Sequence, residues 1–180
     1  VSYQALVNAV AQIVGGTQPS NAQTTASAGP PDQRPYWFSG VDSIDGSGVA
    51  GLVGCWSVAP DILNTTPVAL VLPEGWAPQS IGGGQPFPRQ GRKYREDVIH
   101  LRVVTGHADL QSQMALLINF ADTIPAAFDA HMTLLGQANV DTADCSTGVF
   151  LEVEWPVGTV YMALQFIIRI RRAIPVTYSP

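Results

Sequence analysis

The sequence predicts an α+β fold in a single domain over residues 1–180: an antiparallel β-sheet with helices packed on one face, plus a long loop insertion at residues 17–58. Three observations predict it. Apolar residues recur every three or four positions near the N-terminus and again from residue 110, the period of a buried helix face. In residues 98–104, 149–155 and 162–171 they alternate with polar ones, the period of a half-buried strand. The order is helix, insertion, strand, strand, helix pair, strand, strand, which suits an antiparallel sheet with helices on one face.

Residues 3–14, YQALVNAVAQIV, place Leu6, Val10, Ile13 and Val14 on one stripe, with Ser2 as the expected N-cap and Gly15-Gly16 as the stop. Ser, Thr, Gln, Asn, Gly and Pro then dominate, and the stretch reads as loop. Within it PYWFSG carries Tyr36, Trp37 and Phe38, three successive aromatic residues that a purely disordered linker lacks, so the insertion is expected to dock on the remainder. Val68, Leu70 and Leu72 form a short strand closed by Pro73, and GGGQPFP is a further loop. In VIHLRVV, Ile99, Leu101 and Val103 share one face while His100 and Arg102 share the other.

Asp109 is expected to open the longest helix, whose stripe runs Leu110, Met114, Leu117, Ala121, Ile124, Phe128, Met132 and Leu135, with Gly136 to end it. Pro125 lacks an N–H and pushes residue 124 away from the helical region, so either this helix kinks or a second one starts there. After a polar connection, Val149, Leu151, Val153 and Trp155 face one way and Glu152 and Glu154 the other. Met162, Leu164, Phe166, Ile168 and Ile170 then alternate with Ala163, Gln165, Arg169 and Arg171, and Pro156-Val157-Gly158 joins the two strands as a hairpin.

Charged residues make up 13% of the chain, about half the usual share of roughly 25%. A chain that must cover its own surface needs more solvated groups, so the shortage points to surface covered by other subunits. The net charge of −5 argues against a general nucleic-acid binder, which needs clustered Lys and Arg to neutralise phosphates. The nine basic residues are nevertheless clumped: Arg89, Arg92, Lys93 and Arg95 in RQGRKYRED, and Arg169, Arg171 and Arg172 in IIRIRRA. RQGRKYRED could contact phosphate or an acidic partner, and these seven are the candidate interface residues. The plainer readings are a basic turn beside a strand and charges that guard a strand edge.

Chemistry is hard to find. GSGVAG at residues 46–51 has the spacing of a dinucleotide fingerprint, but VDSID ahead of it is no buried strand, Gly54 and Pro60 interrupt any following helix, and no acid falls at the ribose distance. It reads better as a flexible loop. His107 and Asp109 are a metal pair without a third ligand, and Asp109 is better used as a helix cap. Glu152 and Glu154 are two apart on the solvated side of a hairpin, where they read as solvated residues, free to face cations on a neighbour, rather than as a catalytic pair. Cys55 and Cys145 form neither a CxxC pair nor a disulfide framework, and no hydrophobic run reaches the length of a membrane span. Neither a catalytic residue, a cofactor site nor a metal site is assigned, and no enzymatic activity is expected.

Taken together, YQALVNAVAQIVGG, PDILNTTPVALVLPEGW, REDVIHLRVVTGHAD, QSQMALLINFADTIPAAFDAHMTLLG and FLEVEWPVGTVYMALQFIIRIRRA resemble, in pattern and element order, the tail terminator (tail completion) proteins of long-tailed siphovirus-type phages. The resemblance covers about two thirds of the chain. The long 17–58 insertion departs from it. It implies a non-enzymatic virion protein, assembled in the host cytoplasm and placed at the tail-head junction. Six copies would form a ring at the head-proximal end of the tail tube, end tube polymerisation and offer a surface for head attachment. The implied partners are further copies of the chain and tail tube protein, for which Arg89, Arg92, Lys93, Arg95, Arg169, Arg171 and Arg172 are the candidate contacts, and head-tail connector proteins, with DNA only in passage and no membrane. Two alternatives stand beside this: another neck or tail structural protein, such as a connector or tube protein, and a small-molecule-binding domain using the glycine loop.

Overall fold

The computed structural model describes residues 2–16, 36–38, 48–57, 63, 66–72, 90–106, 110–154 and 159–177. In chain order they form α1 (Tyr3–Gly15), β1 (Tyr36–Phe38), β2 (Gly54–Trp56), β3 (Val68–Leu72), β4 (Gln90–Val104), α2 (Leu110–Asp129), β5 (Val140–Cys145), β6 (Val149–Glu154) and β7 (Val160–Thr177). The strands make one sheet in the order β1-β2-β3-β4-β7-β5, with β6 also paired to β7. The fold is α+β, as the sequence predicts.

Every pairing is antiparallel except β2 with β3, which is parallel, so the sheet is mixed rather than purely antiparallel. The exception arises inside the expected insertion, where β1 and β2 extend the sheet beyond β3. Strands of three residues are too short to show a period in the sequence. The remainder of the 17–58 insertion, apart from residues 48–57, lies outside the described residues.

Both helices lie on one face. α1 is capped as expected: the Ser2 side chain accepts from the Ala5 N–H at 3.2 Å, and Gly16 closes the helix at φ 85°. It is buried more completely than a single stripe requires, because Val7, Ala9 and Ala11 are covered as well as Leu6, Val10, Ile13 and Val14. α2 runs as one helix through Pro125. Its stripe of Leu117, Phe120, Ile124 and Phe128 packs with α1 over Ile99, Leu101 and Val103 of β4 and Leu164, Phe166, Ile168 and Ile170 of β7. The stripe ends sooner than expected. After Asp129 the chain turns, Leu134 fills the core, and Met132 and Leu135 are exposed.

The opposite face carries a smaller cluster of Trp56, Leu63, Val68, Leu70, Val104, Val153, Tyr161 and Ala163. One end of the sheet is therefore apolar on both sides. β5, which the sequence suggests as polar connection, lies end to end with β6 along one edge of β7. At the break Ser146 holds the ladder: its N–H donates to the Ile167 carbonyl at 2.9 Å and its Oγ accepts from the Ile167 N–H at 2.8 Å.

Candidate functional site

The two basic clusters, far apart in the sequence, meet in the fold. β4 and β7 pair from Gln90↔Thr177 to Val104↔Ala163, and this register puts Arg92 opposite Pro175, Lys93 opposite Ile174 and Arg95 opposite Arg172. Arg169 and Arg171 lie opposite Val98 and Glu96 on the same ribbon. Six of the seven candidate residues thus gather at one end of the β4–β7 pair; Arg89 lies outside the described residues.

The cluster divides in two. Arg95 and Arg172 face each other on the helix side, where like charges directly opposite destabilise a sheet. Asp97 resolves this: it accepts a hydrogen bond from Arg172 Nε and forms an ion pair with Arg95 at 3.0 Å. The Asp97 side chain is 2% exposed and that of Arg172 8%, so this is a buried charge pair and Arg172 is turned inward rather than outward. Tyr3 at the start of α1 donates its hydroxyl proton to the Val98 carbonyl at 3.2 Å, beside this group. Burial, and then the negative charge of Asp97, push the Tyr3 phenol up from its ordinary value, against the opposing pull of Arg95.

The other half faces outward. Arg169 and Arg171 are exposed, and the Arg171 guanidinium sits 4.3 Å from the centroid of the Tyr94 ring, a cation–π contact. Across the strands Arg171 is in register with Glu96 and Arg169 with Asp144. Further along this face Arg102 donates to Gln165 Oε1 at 2.6 Å.

The ribbon outruns the sheet. β3 pairs β4 only over residues 100–104, and β5 pairs β7 only over residues 168–172. Among the described residues no further strand flanks the five pairs from Gln90↔Thr177 to Tyr94↔Ala173. They form a two-stranded arm of roughly 15 Å at the usual rise of about 3.3 Å per residue. A two-stranded ribbon alone is marginal in water, so an arm of this kind gains from a surface to lie on.

The remaining candidates have structural roles or lie outside the described residues. Of the glycine loop, residues 48–51 are described, and they abut the C-terminal end of α1: the Val49 N–H donates to the Val14 carbonyl at 2.8 Å. Gly48 sits at φ +97°, and a Cβ there would lie 2.8 Å from the Gly16 nitrogen. A helix C-terminus is the negative end of the dipole, where a phosphate is disfavoured, so this loop serves close backbone approach instead of a pyrophosphate. His107 and Asp109 are outside the described residues, and among the described ones no three His, Cys, Asp or Glu side chains converge on a metal-sized site. Both cysteines are free thiols. Burial raises the Cys55 thiol well above its ordinary value, and burial together with Asp129 raises Cys145 to about 12, so neither is an activated nucleophile. Glu152 and Glu154 are exposed on the edge strand β6. Among the described residues no helix is long and apolar enough to cross a membrane. No protein-family model and no curated protein matches the sequence.

Proposed function

We propose that this chain is a structural subunit that associates with copies of itself into a closed ring, most specifically a six-fold tail-terminator ring at the head-proximal end of a phage tail tube. The observation that carries the reading is the division of charge across a single sheet with open edges. The far end of the β4–β7 ribbon carries Arg92 and Lys93 beyond the pair of Arg95 and Arg172 with Asp97, while the β5–β6 edge exposes Asp141, Glu152 and Glu154 and contains no base, its Asp144 lying in register with Arg169. Two unlike surfaces on one chain favour a head-to-tail contact, which closes into a ring when the rotation allows and leaves no free surface for growth. The scarcity of charge, 13% of residues, supports a protein whose surface is partly covered in an assembly. The net charge of −5 suits a channel through which DNA slides without sticking.

The test is the native mass of the purified protein together with electron-microscope class averages, alone and with purified tail tubes. Six-fold rings, or capping of tube ends by a protein that is monomeric in their absence, support the reading. Long filaments formed by the protein alone identify it as a tube component. A monomer that leaves tubes uncapped overturns it.

A further inference from the structure

The structure offers a more specific contact, which rests on the reading of copies joined head to tail. We infer that the two-stranded arm, residues 90–94 with residues 173–177, docks on the β5–β6 edge of the next copy. The edge has an apolar and an electrostatic component. Val149 is 64% exposed and Phe150 43% at the start of β6, on opposite faces of the sheet, and Val160 is 52% exposed at the other end of the pair, opposite Glu154. On the same edge Asp141 and Glu152 are exposed, while Asp144 lies in register with Arg169 of the same chain, and residues 140–154 contain no Lys, Arg or His. Among the described residues β5 and β6 pair with β7 alone, so their outer backbone groups face away from the sheet.

Charge chooses the occupant. A second copy of the same edge would set carboxylates against carboxylates, which disfavours the symmetric pairing that a bare edge invites. The arm carries Arg92 and Lys93 on β4 and no acid in residues 90–94 or 173–177. It is the complement of the edge in sign, and it needs additional buried area for its own stability. Its root is fixed to the body by the ion pairs of Asp97 with Arg95 and Arg172, so it is presented in a defined direction. One copy's arm on the next copy's edge uses each surface once, which is the requirement for a heterologous chain or ring.

Two doubly substituted proteins test this: Arg92→Glu with Lys93→Glu, and Asp141→Lys with Glu152→Lys. Sedimentation over a concentration series measures association, and circular dichroism checks that each remains folded; Asp141 and Glu152 are exposed, so the edge variant keeps the core intact. Each variant alone should associate about tenfold or more weakly than the unsubstituted chain, because like charges now meet. Mixed one to one they should recover, since the acidic arm of the first fits the basic edge of the second and the basic arm of the second fits the acidic edge of the first. Undiminished association of the edge variant, or a mixture no better than its components, overturns the contact and leaves the ring reading standing. Charge-dependent recovery into open filaments keeps the contact and removes the ring. An unsubstituted chain that stays monomeric at every concentration overturns the contact, and the ring reading then falls or stands on the capping of tubes.

Discussion

Asp97→Ala should be among the most destabilising single substitutions in this protein, although Asp97 has no part in the apolar core. Its carboxylate is 2% exposed and is the counter-charge for Arg172, whose side chain is 8% exposed, and for Arg95 at 3.0 Å. Removing it leaves two guanidinium groups in opposed register, one of them on a side chain only 8% exposed. Breaking a buried pair in this way costs about 3–5 kcal/mol, against about 0–1 kcal/mol for a surface pair. For a chain of this size that corresponds to a fall of roughly 6–20 °C in Tm. Urea denaturation with a linear extrapolation is the assay, and the m-value should stay constant. Arg172→Met should cost less, because Arg95 still balances Asp97. The Asp97→Ala, Arg172→Met double variant should be more stable than Asp97→Ala alone, with a coupling above about 1 kcal/mol. A loss below about 1 kcal/mol for Asp97→Ala would show that water reaches this group, and the buried-pair account would be wrong.

Three further outcomes follow from the geometry. Gly48→Ala should destabilise by about 1–3 kcal/mol in thermal melts, since the new Cβ meets the Gly16 nitrogen at 2.8 Å and φ is +97°, and it should leave nucleotide binding no weaker than before. Ser146→Ala should cost about 1–3 kcal/mol by urea titration, because the Ile167 N–H loses the acceptor that bridges β5 and β6. The Cys145 thiol, raised from 9.0 to about 12, keeps its proton in the folded protein at pH values where the unfolded chain has lost it. Its contribution is therefore complete below about pH 9 and is lost as pH rises towards 12; the alkaline fall in stability should be shallower in Cys145→Ser, and an unchanged slope would contradict the burial assigned to this thiol.

Much of the core was legible because it obeys simple periods. The alternation of Ile99, Leu101 and Val103 and of Leu164, Phe166, Ile168 and Ile170 identifies the sheet face under the helices, and the stripe through Leu117, Ile124 and Phe128 identifies the helix above it. Three failures have physical causes. β5 is VDTADC, in which only Val140 and Ala143 are buried, so it has no hydrophobic alternation and becomes a strand through pairing to β7. The first half of β4 is rich in charge, QGRKYRED, and reads as a basic turn; its strand character comes from register with β7, a contact across the whole second half of the chain. Met132 and Leu135 continue the period of α2 on paper, but the helix ends at Asp129 and the turn hands their place to Leu134.

The basic residues show most clearly what a sequence can and cannot say about an interface. Their clumping is visible in the chain, but the fold gives members of one cluster opposite duties. Arg172 is spent inward, on Asp97, while its neighbour Arg171, on the opposite face, is held against Tyr94 and stays exposed. Neighbours in a strand point to opposite sides, so a run such as Arg171-Arg172 must split whenever one side is a core. The inward member then has a use for the outward ones. By tying β7 to β4 through Asp97 at the level where β5 ends, it fixes the root of the arm that carries Arg92 and Lys93. Loss of the buried pair should accordingly weaken association more than its effect on overall stability explains. Asp97→Asn, measured for both properties at a temperature where the fold remains populated, separates the two: association that falls only in proportion to the folded fraction would show that the arm is ordered without its anchor.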